Sequence, residues 1–267
     1  MDYSNAKVGF IGFGSMASAL CDGLLSKEVV KPGNMMACAR DQEKLAERCA
    51  ERGIRSGSPA DVVRFADIVV VAVLPQQVEG VVTPLREELR GTPIFSIATG
   101  INYAEYVSYL GEGYNHISTV PNTPIAVGEG IIIAEESHSL TDEQKDLFEG
   151  IFGQISQIEY FPTNLLAIAS TGAGCSPAFV DVFIEAMADG LVKNGMTRAA
   201  AYRIVPQMII GTAKYFQQGD KHPGELKDAV CSPGGTTIVG ISALEEKGFR
   251  YSLIYAIDKI IEKKKQH

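Results

Sequence analysis

The stretch that decides the fold of this chain is Val8-Gly9-Phe10-Ile11-Gly12-Phe13-Gly14-Ser15-Met16-Ala17. An apolar run over 8–11 precedes two glycines, and apolar residues then recur at helical spacing, which predicts a strand, a tight turn and a helix. Glycine permits the sharp turn and the close approach of a ligand. The N–H groups and the dipole at the start of the helix favour an anion, commonly a pyrophosphate. Because Ala17 is small enough for close packing at the third position of G-x-G-x-x-G/A, the pattern favours a dinucleotide site over a plain tight turn. The candidate cofactor-binding residues of this turn are Gly12, Phe13, Gly14, Ser15, Met16 and Ala17.

The end of the second apolar run indicates which dinucleotide would bind. Residues 35–39 form that run, and Arg40 follows it, about where an NAD-binding protein carries an acid for the ribose 2′-hydroxyl. An arginine pairs with a 2′-phosphate and stacks on adenine, so NADPH is favoured, with NADH as the alternative. The competing interpretation is an exposed arginine beside Asp41, which would be the N-cap of a helix expected over 41–52.

Composition and charge exclude several classes of protein. The 267 residues allow one large domain or two ordinary ones, and 46% hydrophobic with 21% charged residues is typical of a globular protein. A formal net charge of −8 argues against nucleic acid or an anionic membrane as a partner. The five cysteines form no C-x-x-C pair and the four histidines are scattered, so no metal site is expected. The chain shows no signal peptide and no apolar run of membrane-spanning length, and a cytoplasmic location is expected.

Three further apolar runs end in turns at one edge of the predicted parallel sheet. They cover 68–73, 93–98 and 116–120, and each is followed by a turn rich in small residues or proline. Open α/β sheets bind ligands at the carboxyl edge of their strands. The ends of these runs and the turns after them contain the remaining candidate cofactor-binding residues: Val73, Leu74, Pro75, Ala98, Gly100 and Asn122.

The pattern changes near residue 162. After closing strands at 131–134 and 157–161, helical periodicity continues to the end of the chain, with helices expected near 177–194, 198–217, 237–247 and 250–263. The sequence therefore predicts an α/β, Rossmann-type dinucleotide-binding domain over 1–162 and an all-helical domain over 163–267. The high apolar content of the helical half suggests burial against a partner subunit.

A second candidate site lies between two of these helices, at Ser232-Pro233-Gly234-Gly235-Thr236-Thr237. Its proline and glycines permit a nest of backbone N–H groups, and its hydroxyls add further donors, so the loop suits a carboxylate. The alternative is a helix–helix turn that is merely capped by Thr236 or Thr237.

Six motifs, in their order and spacing, resemble those of pyrroline-5-carboxylate reductases over essentially the whole chain. They cover 12–17, 73–76, 96–100, 121–124, 174–179 and, most specifically, 232–237. The resemblance implies NAD(P)H-dependent reduction of Δ1-pyrroline-5-carboxylate, a small imino acid, to L-proline. It also implies that the helical domain forms a homodimer, or a larger ring of dimers.

The resemblance assigns roles to residues of the loop 232–237, called the late loop below. Its carboxylate-binding residues would be Ser232, Gly234, Gly235, Thr236 and Thr237, with Thr237 close to the ring nitrogen and therefore the candidate catalytic residue. Hydride transfer to a protonated imine needs positioning more than acid–base groups, and no histidine lies in any of the motifs.

Departures from the family pattern leave alternatives open. Leu74 stands where the family usually has a lysine, and Ser118 and Val120 replace an arginine and a methionine. A paralogue that acts on another cyclic imine, a 3-hydroxyacid-type dehydrogenase and an inactive NADP-binding sensor are the competing hypotheses. The dehydrogenase would need an acid, typically a lysine, early in the helical half, and residues 163–188 contain no lysine.

Overall fold

The structure, a computed structural model, describes residues 2–266. Its packing divides the chain into two compact units, one ending at Pro177 and the other beginning at Ala178, and each is described by itself.

The first unit is an eight-stranded sheet covered by helices. The strands are β1 (Val8–Ile11), β2 (Met35–Cys38), β3 (Arg55–Ser56), β4 (Ile68–Val71), β5 (Ile94–Ser96), β6 (His116–Pro121), β7 (Gly130–Glu135) and β8 (Ser156–Phe161). The helices are α1 (Ser15–Ser26), α2 (Gln42–Arg52), α3 (Pro59–Phe65), α4 (Val78–Val82), α5 (Tyr103–Leu110), α6 (Asp142–Phe152) and α7 (Leu166–Ser170).

The strand order is β3-β2-β1-β4-β5-β6-β7-β8. Strands β1 to β6 are parallel, β7 is antiparallel to β6, and β8 is parallel to β7. The order reverses direction at β1, which is the point where α/β sheets place a nucleotide. The Rossmann-type fold predicted from the sequence is confirmed.

Burial on both faces explains why the sequences of the central strands are continuous apolar runs. Every residue of β1 and β4 is buried, because helices cover both faces of a parallel sheet. Helix starts follow local capping chemistry: the side chains of Asp41, Ser58 and Thr141 each accept a hydrogen bond from a backbone N–H of the following turn. The predicted N-cap role of Asp41 is confirmed, and Gly53 ends α2 in the left-handed conformation that glycine favours.

The second unit is entirely helical. It contains α8 (Pro177–Lys193, of which the first residue belongs to the first unit), α9 (Arg198–Gln217), α10 (Pro223–Ala229), α11 (Thr236–Glu246) and α12 (Phe249–Lys264). Short helices α5, α7 and α10 were not anticipated from the sequence. A π-helical turn, Thr171–Cys175, joins α7 to α8.

The units divide at a different residue from the boundary predicted at 162/163. Residues 163–177 pack with the sheet, where α7 contacts β7. Along the chain, the mixed α/β pattern therefore ends about four helical turns before the boundary between the two packed units.

One helical segment, Thr163–Lys193, is long and apolar enough by length and composition to cross a membrane, with a mean hydropathy of 1.4. The sequence has no unbroken apolar run of that length, and the segment is this long because the helix continues through the π-helical turn. Asp181, Glu185 and Asp189 recur at every fourth position and give this helix one acidic face. Such a stripe is typical of a helix that packs its apolar side against protein.

Candidate active site

The turn after β1 requires glycine at its first position. Gly12 has a φ of +89°, and a Cβ there would lie 2.5 Å from the carbonyl oxygen of Ala72. Its N–H donates to the carbonyl of Cys38 at 2.9 Å, which links the end of β1 to the end of β2. Any larger residue would have to push this turn away from β4, so the glycine here determines where α1 begins.

Helix α1 begins at a start that suits an anion. Gly14 is its N-cap residue, no side chain caps the helix, and the first turn contains no acidic residue. A Cβ added to Gly14 would meet nothing within 4 Å, so the space in front of the helix is open. The first N–H groups of a helix lack intrahelical partners and carry partial positive charge. The turn therefore fits the pyrophosphate of a dinucleotide.

A cavity of about 760 Å³ lies in front of this turn. The predicted cofactor-binding residues that line it are Gly12, Phe13, Gly14, Ser15, Met16, Ala17, Arg40, Val73, Leu74, Pro75 and Ala98. The same cavity is lined by Lys44, Arg48, Gln77 and Thr99, which the sequence reasoning had not singled out. The structure thus brings the ends of β1, β2, β4 and β5 to one concave surface of cofactor size.

Gly100 and Asn122 are the two predicted cofactor-binding residues outside the cavity lining. Both polar atoms of the Asn122 side chain form hydrogen bonds within the protein. Oδ1 accepts from the N–H of Ile131 at 2.9 Å, and Nδ2 donates to the carbonyl of Ala173 at 3.2 Å. It therefore connects the loop after β6 to β7 and to the π-helical turn. The cofactor role of both residues stays a prediction.

Three cations line the cavity on the α2 side. Lys44 is paired with Asp41 at 3.1 Å, and Arg48 donates from Nη1 to the carbonyl of Phe13 at 2.6 Å. The Arg48 contact holds the peptide between Phe13 and Gly14, within the glycine turn. Arg40, Lys44 and Arg48 are four residues apart, so their spacing was the signal by which Lys44 and Arg48 could have been found.

One cysteine thiol lies at the wall of the cavity. Cys38 lines the cavity, and burial raises the pKa of its thiol, so the unreactive protonated form is favoured. Within residues 2–266 no group of three or more His, Cys, Asp or Glu side chains could hold a metal ion.

The late loop forms a second helix start without a side-chain cap. Helix α11 begins at Thr236, its N-cap is Gly235, and neither threonine caps it, so the alternative of a merely capped turn is wrong. Gly234 has a φ of +69°, and a Cβ on Gly235 would collide with the Ser232 hydroxyl. Within the described part of the chain the hydroxyls of Ser232, Thr236 and Thr237 have no hydrogen-bond partner, and all three residues are exposed.

Two family models match the chain. The model described as pyrroline-5-carboxylate reductase dimerisation matches residues 163–267, and the one described as NADP oxidoreductase, coenzyme F420-dependent, matches residues 7–100.

Relatives and solved structures match along nearly the full length. Pyrroline-5-carboxylate reductase of Treponema pallidum is 39% identical over 94% of this chain and 97% of its own, and that of Escherichia coli K12 is 37% identical over 96% of each. The crystal structure of Plasmodium falciparum pyrroline carboxylate reductase with NADP bound is 30% identical, with a TM-score of 0.86 over 97% of both chains. A 3-hydroxyisobutyrate dehydrogenase of Mycobacterium tuberculosis, 17% identical with a TM-score of 0.50, shares the fold alone. With its glycine turn, its late Ser-Pro-Gly-Gly loop and this identity over nearly its full length, the chain belongs to the pyrroline-5-carboxylate reductase family.

Proposed function

We propose that this chain reduces Δ1-pyrroline-5-carboxylate to L-proline with NADPH as the hydride donor, the last step of proline biosynthesis. The observation that carries the proposal is that one chain of this family contains two helices that begin without a side-chain cap. One opens into a cavity of cofactor size, and the other displays three unpartnered hydroxyls.

The first unit holds the cofactor in this proposal. The turn from Gly12 to Ala17 binds the pyrophosphate through N–H groups at the start of α1, and Arg40 binds the adenosine end. Val73, Leu74, Pro75 and Ala98 complete the cavity wall. When bound, the reduced nicotinamide supplies the hydride that the imine carbon accepts.

The late loop holds the substrate carboxylate. The residues proposed for this role are Ser232, Gly234, Gly235, Thr236 and Thr237. Their support is an anion-favouring helix start with free hydroxyls and no acidic residue in the first turn.

Thr237 acts at the ring nitrogen. A protonated cyclic imine is already electrophilic at its C=N carbon, so the protein has to orient it rather than supply a strong acid. The Thr237 hydroxyl has no partner within residues 2–266 and is free to accept from the iminium N–H, which would fix the ring relative to the hydride donor.

The helical unit is proposed to form the homodimer in a cytoplasmic enzyme. Oligomerisation is supported by the match to the dimerisation family and by many large apolar side chains on the surface of this unit. Examples are Val239, Tyr251 and Ile254, which are 66%, 67% and 57% exposed. A soluble unit does not leave so much apolar surface in water unless a partner covers it.

The proposal is tested by a steady-state assay of NADPH oxidation with Δ1-pyrroline-5-carboxylate, other cyclic imino acids and a 3-hydroxyacid pair. We expect the highest kcat/KM with Δ1-pyrroline-5-carboxylate. A higher value with another cyclic imine would indicate the paralogue, activity only with the hydroxyacid would indicate a dehydrogenase, and NADPH binding without turnover would indicate a sensor. Each of these three results contradicts the proposal.

A further inference from the structure

We propose that Gln77 positions Arg40 for the adenosine 2′-phosphate and thereby sets the preference for NADPH over NADH. The inference rests on the proposed use of a nicotinamide dinucleotide, and it assigns to Gln77 a role in specificity.

The structural observation is a contact between two loops, in which the end of the Gln77 amide lies against the Arg40 guanidinium, and a guanidinium, which only donates, assigns the amide oxygen to that side. With its amide oxygen toward the guanidinium, Gln77 accepts from Nη2 of Arg40 at 3.0 Å and from Nη1 at 3.1 Å. Arg40 follows β2 and Gln77 follows β4, and β1 lies between these two strands. The bond therefore spans the sheet edge where the glycine turn lies.

Gln77 is itself held by local structure. It ends a 3₁₀ turn, Pro75–Gln77, and its N–H donates to the carbonyl of Leu74 at 2.8 Å. The proline fixes one backbone angle of this turn. Gln77 is only partly exposed, whereas its neighbour Gln76 is exposed and does not line the cavity.

Arg40 differs from the other two cations of the cavity in what it faces. Lys44 forms an ion pair with Asp41, and Arg48 donates to a backbone carbonyl. Arg40 faces a neutral amide, and no carboxylate within residues 2–266 forms an ion pair with it. A guanidinium that is oriented but not neutralised keeps its full charge for an anionic ligand.

The remaining donors of Arg40 match a phosphate. Of its five N–H groups, Gln77 uses one on each terminal nitrogen, which leaves Nε–H and one N–H on each of Nη1 and Nη2. Parallel N–H groups of a guanidinium bind phosphate oxygens in a forked, charge-assisted geometry. The 2′-phosphate distinguishes NADPH from NADH, so Arg40 discriminates between them. Holding the arginine in place beforehand removes part of the entropy cost of ordering a flexible side chain on binding.

The test measures binding of 2′,5′-ADP and 5′-AMP to the full chain by calorimetry, with no turnover involved. Arg40→Ala should weaken 2′,5′-ADP about 30-fold, since a charge-assisted pair is lost, and change 5′-AMP less than about threefold. Gln77→Leu should weaken 2′,5′-ADP about fivefold, since Arg40 must then be ordered on binding, and Gln76→Leu, the matched control, less than twofold.

Two further variants separate positioning from direct contact. Adding Gln77→Leu to Arg40→Ala should cause no further loss, because no arginine is left to position. Gln77→Glu should retain the contact but neutralise the guanidinium, so the preference for 2′,5′-ADP should fall below that of Gln77→Leu. The melting temperature of each variant shows that it is folded.

The alternative results overturn the inference in distinguishable ways. If Gln77→Leu weakened the binding of both nucleotides equally, Gln77 would be a contact that both share. If it strengthened the binding of both equally, Gln77 would obstruct both. A further loss in the Arg40→Ala background would mean that Gln77 binds the phosphate itself. If wild-type protein bound neither nucleotide, the proposed cofactor would fail together with this inference.

Discussion

Helices α1 and α11 both begin after a glycine and without a side-chain cap, but their surroundings are opposite. Helix α1 buries six of its residues, among them Leu20 and Leu24, beneath the sheet, whereas α11 has no buried residue. The turn before α1 is held by backbone contacts to neighbouring strands, and the loop before α11 is exposed with unpartnered hydroxyls.

This difference indicates that the two proposed sites depend on different levels of structure. The nucleotide site is built within one folded unit, so its affinity should be a property of the single chain. The late loop, 232–237, lies in a unit with many exposed large apolar residues, so its proposed function should depend on assembly. The following experiments separate the two.

The largest effect is expected from Gly12→Ala. The new methyl group would meet the carbonyl of Ala72 at an unfavourable φ, so the free energy of unfolding should fall by about 3 kcal/mol and NADPH affinity by about 100-fold. Gly14→Ala is the matched variant: with open space at its Cβ it should cost less than about 1 kcal/mol of stability, yet weaken NADPH about tenfold by filling the cavity. Chemical denaturation and fluorescence titration measure both, and normal NADPH binding by Gly12→Ala would contradict the site.

The dependence on assembly is tested by Ile254→Lys on α12. A charge introduced into an apolar contact between subunits would be desolvated, so self-association should weaken about 100-fold and turnover should fall with it. NADPH affinity should stay within about twofold, because the nucleotide site belongs to the other unit. Sedimentation velocity gives the oligomeric state, and Glu246→Gln, a polar change on the surface of the same unit, is the control. A monomer with full turnover would refute the proposed dependence on assembly.

Thr237→Ala tests the late loop directly. Loss of one oriented hydroxyl at the reacting nitrogen should lower kcat about 20-fold and leave the Kd for NADPH unchanged. Ser242→Ala on the same helix is the control, since that hydroxyl already donates to the carbonyl of Ile238 and should not affect kcat. Stopped-flow hydride transfer under single-turnover conditions distinguishes chemistry from product release, and an unchanged rate would remove the role assigned to Thr237.

The smallest effect concerns the stability of the sheet unit at low pH. His116 is buried on β6, with ring centroids 4.9 Å from Tyr103 and 4.5 Å from Tyr106, and burial lowers its pKa to about 4. In the unfolded chain His116 binds a proton near pH 6.5, whereas in the folded chain it binds one only near pH 4. The free energy of unfolding therefore has its full value above pH 6.5 and falls as the pH drops toward 4. By pH 5 the loss should be roughly 2 kcal/mol.

His116→Phe provides the check on that pH dependence. It keeps the aromatic stacking but cannot be protonated, so urea unfolding should show a shallower decline between pH 6.5 and 5. An identical decline in the His116→Phe variant would assign the acid sensitivity to other groups.

Much of the first unit could be predicted because its determinants are local. The strand, glycine turn and helix over 8–17 follow from periodicity and backbone freedom, and the caps at Asp41, Ser58 and Thr141 involve residues three apart. Eleven of the thirteen predicted cofactor-binding residues line the cavity, because parallel strands bring their carboxyl ends to one edge of the sheet.

The sequence alone determined the order of the strands and longer helices, the change to an all-helical half near residue 162, the glycine turn and the late Ser-Pro-Gly-Gly loop, all of which depend on neighbours along the chain. Only the tertiary structure decided that Gln77 meets Arg40, that Arg48 holds the Phe13 carbonyl, and that residues 163–177 pack with the sheet. These contacts join residues distant in sequence, and their partners depend on strand order and side-chain packing, which local propensity does not encode.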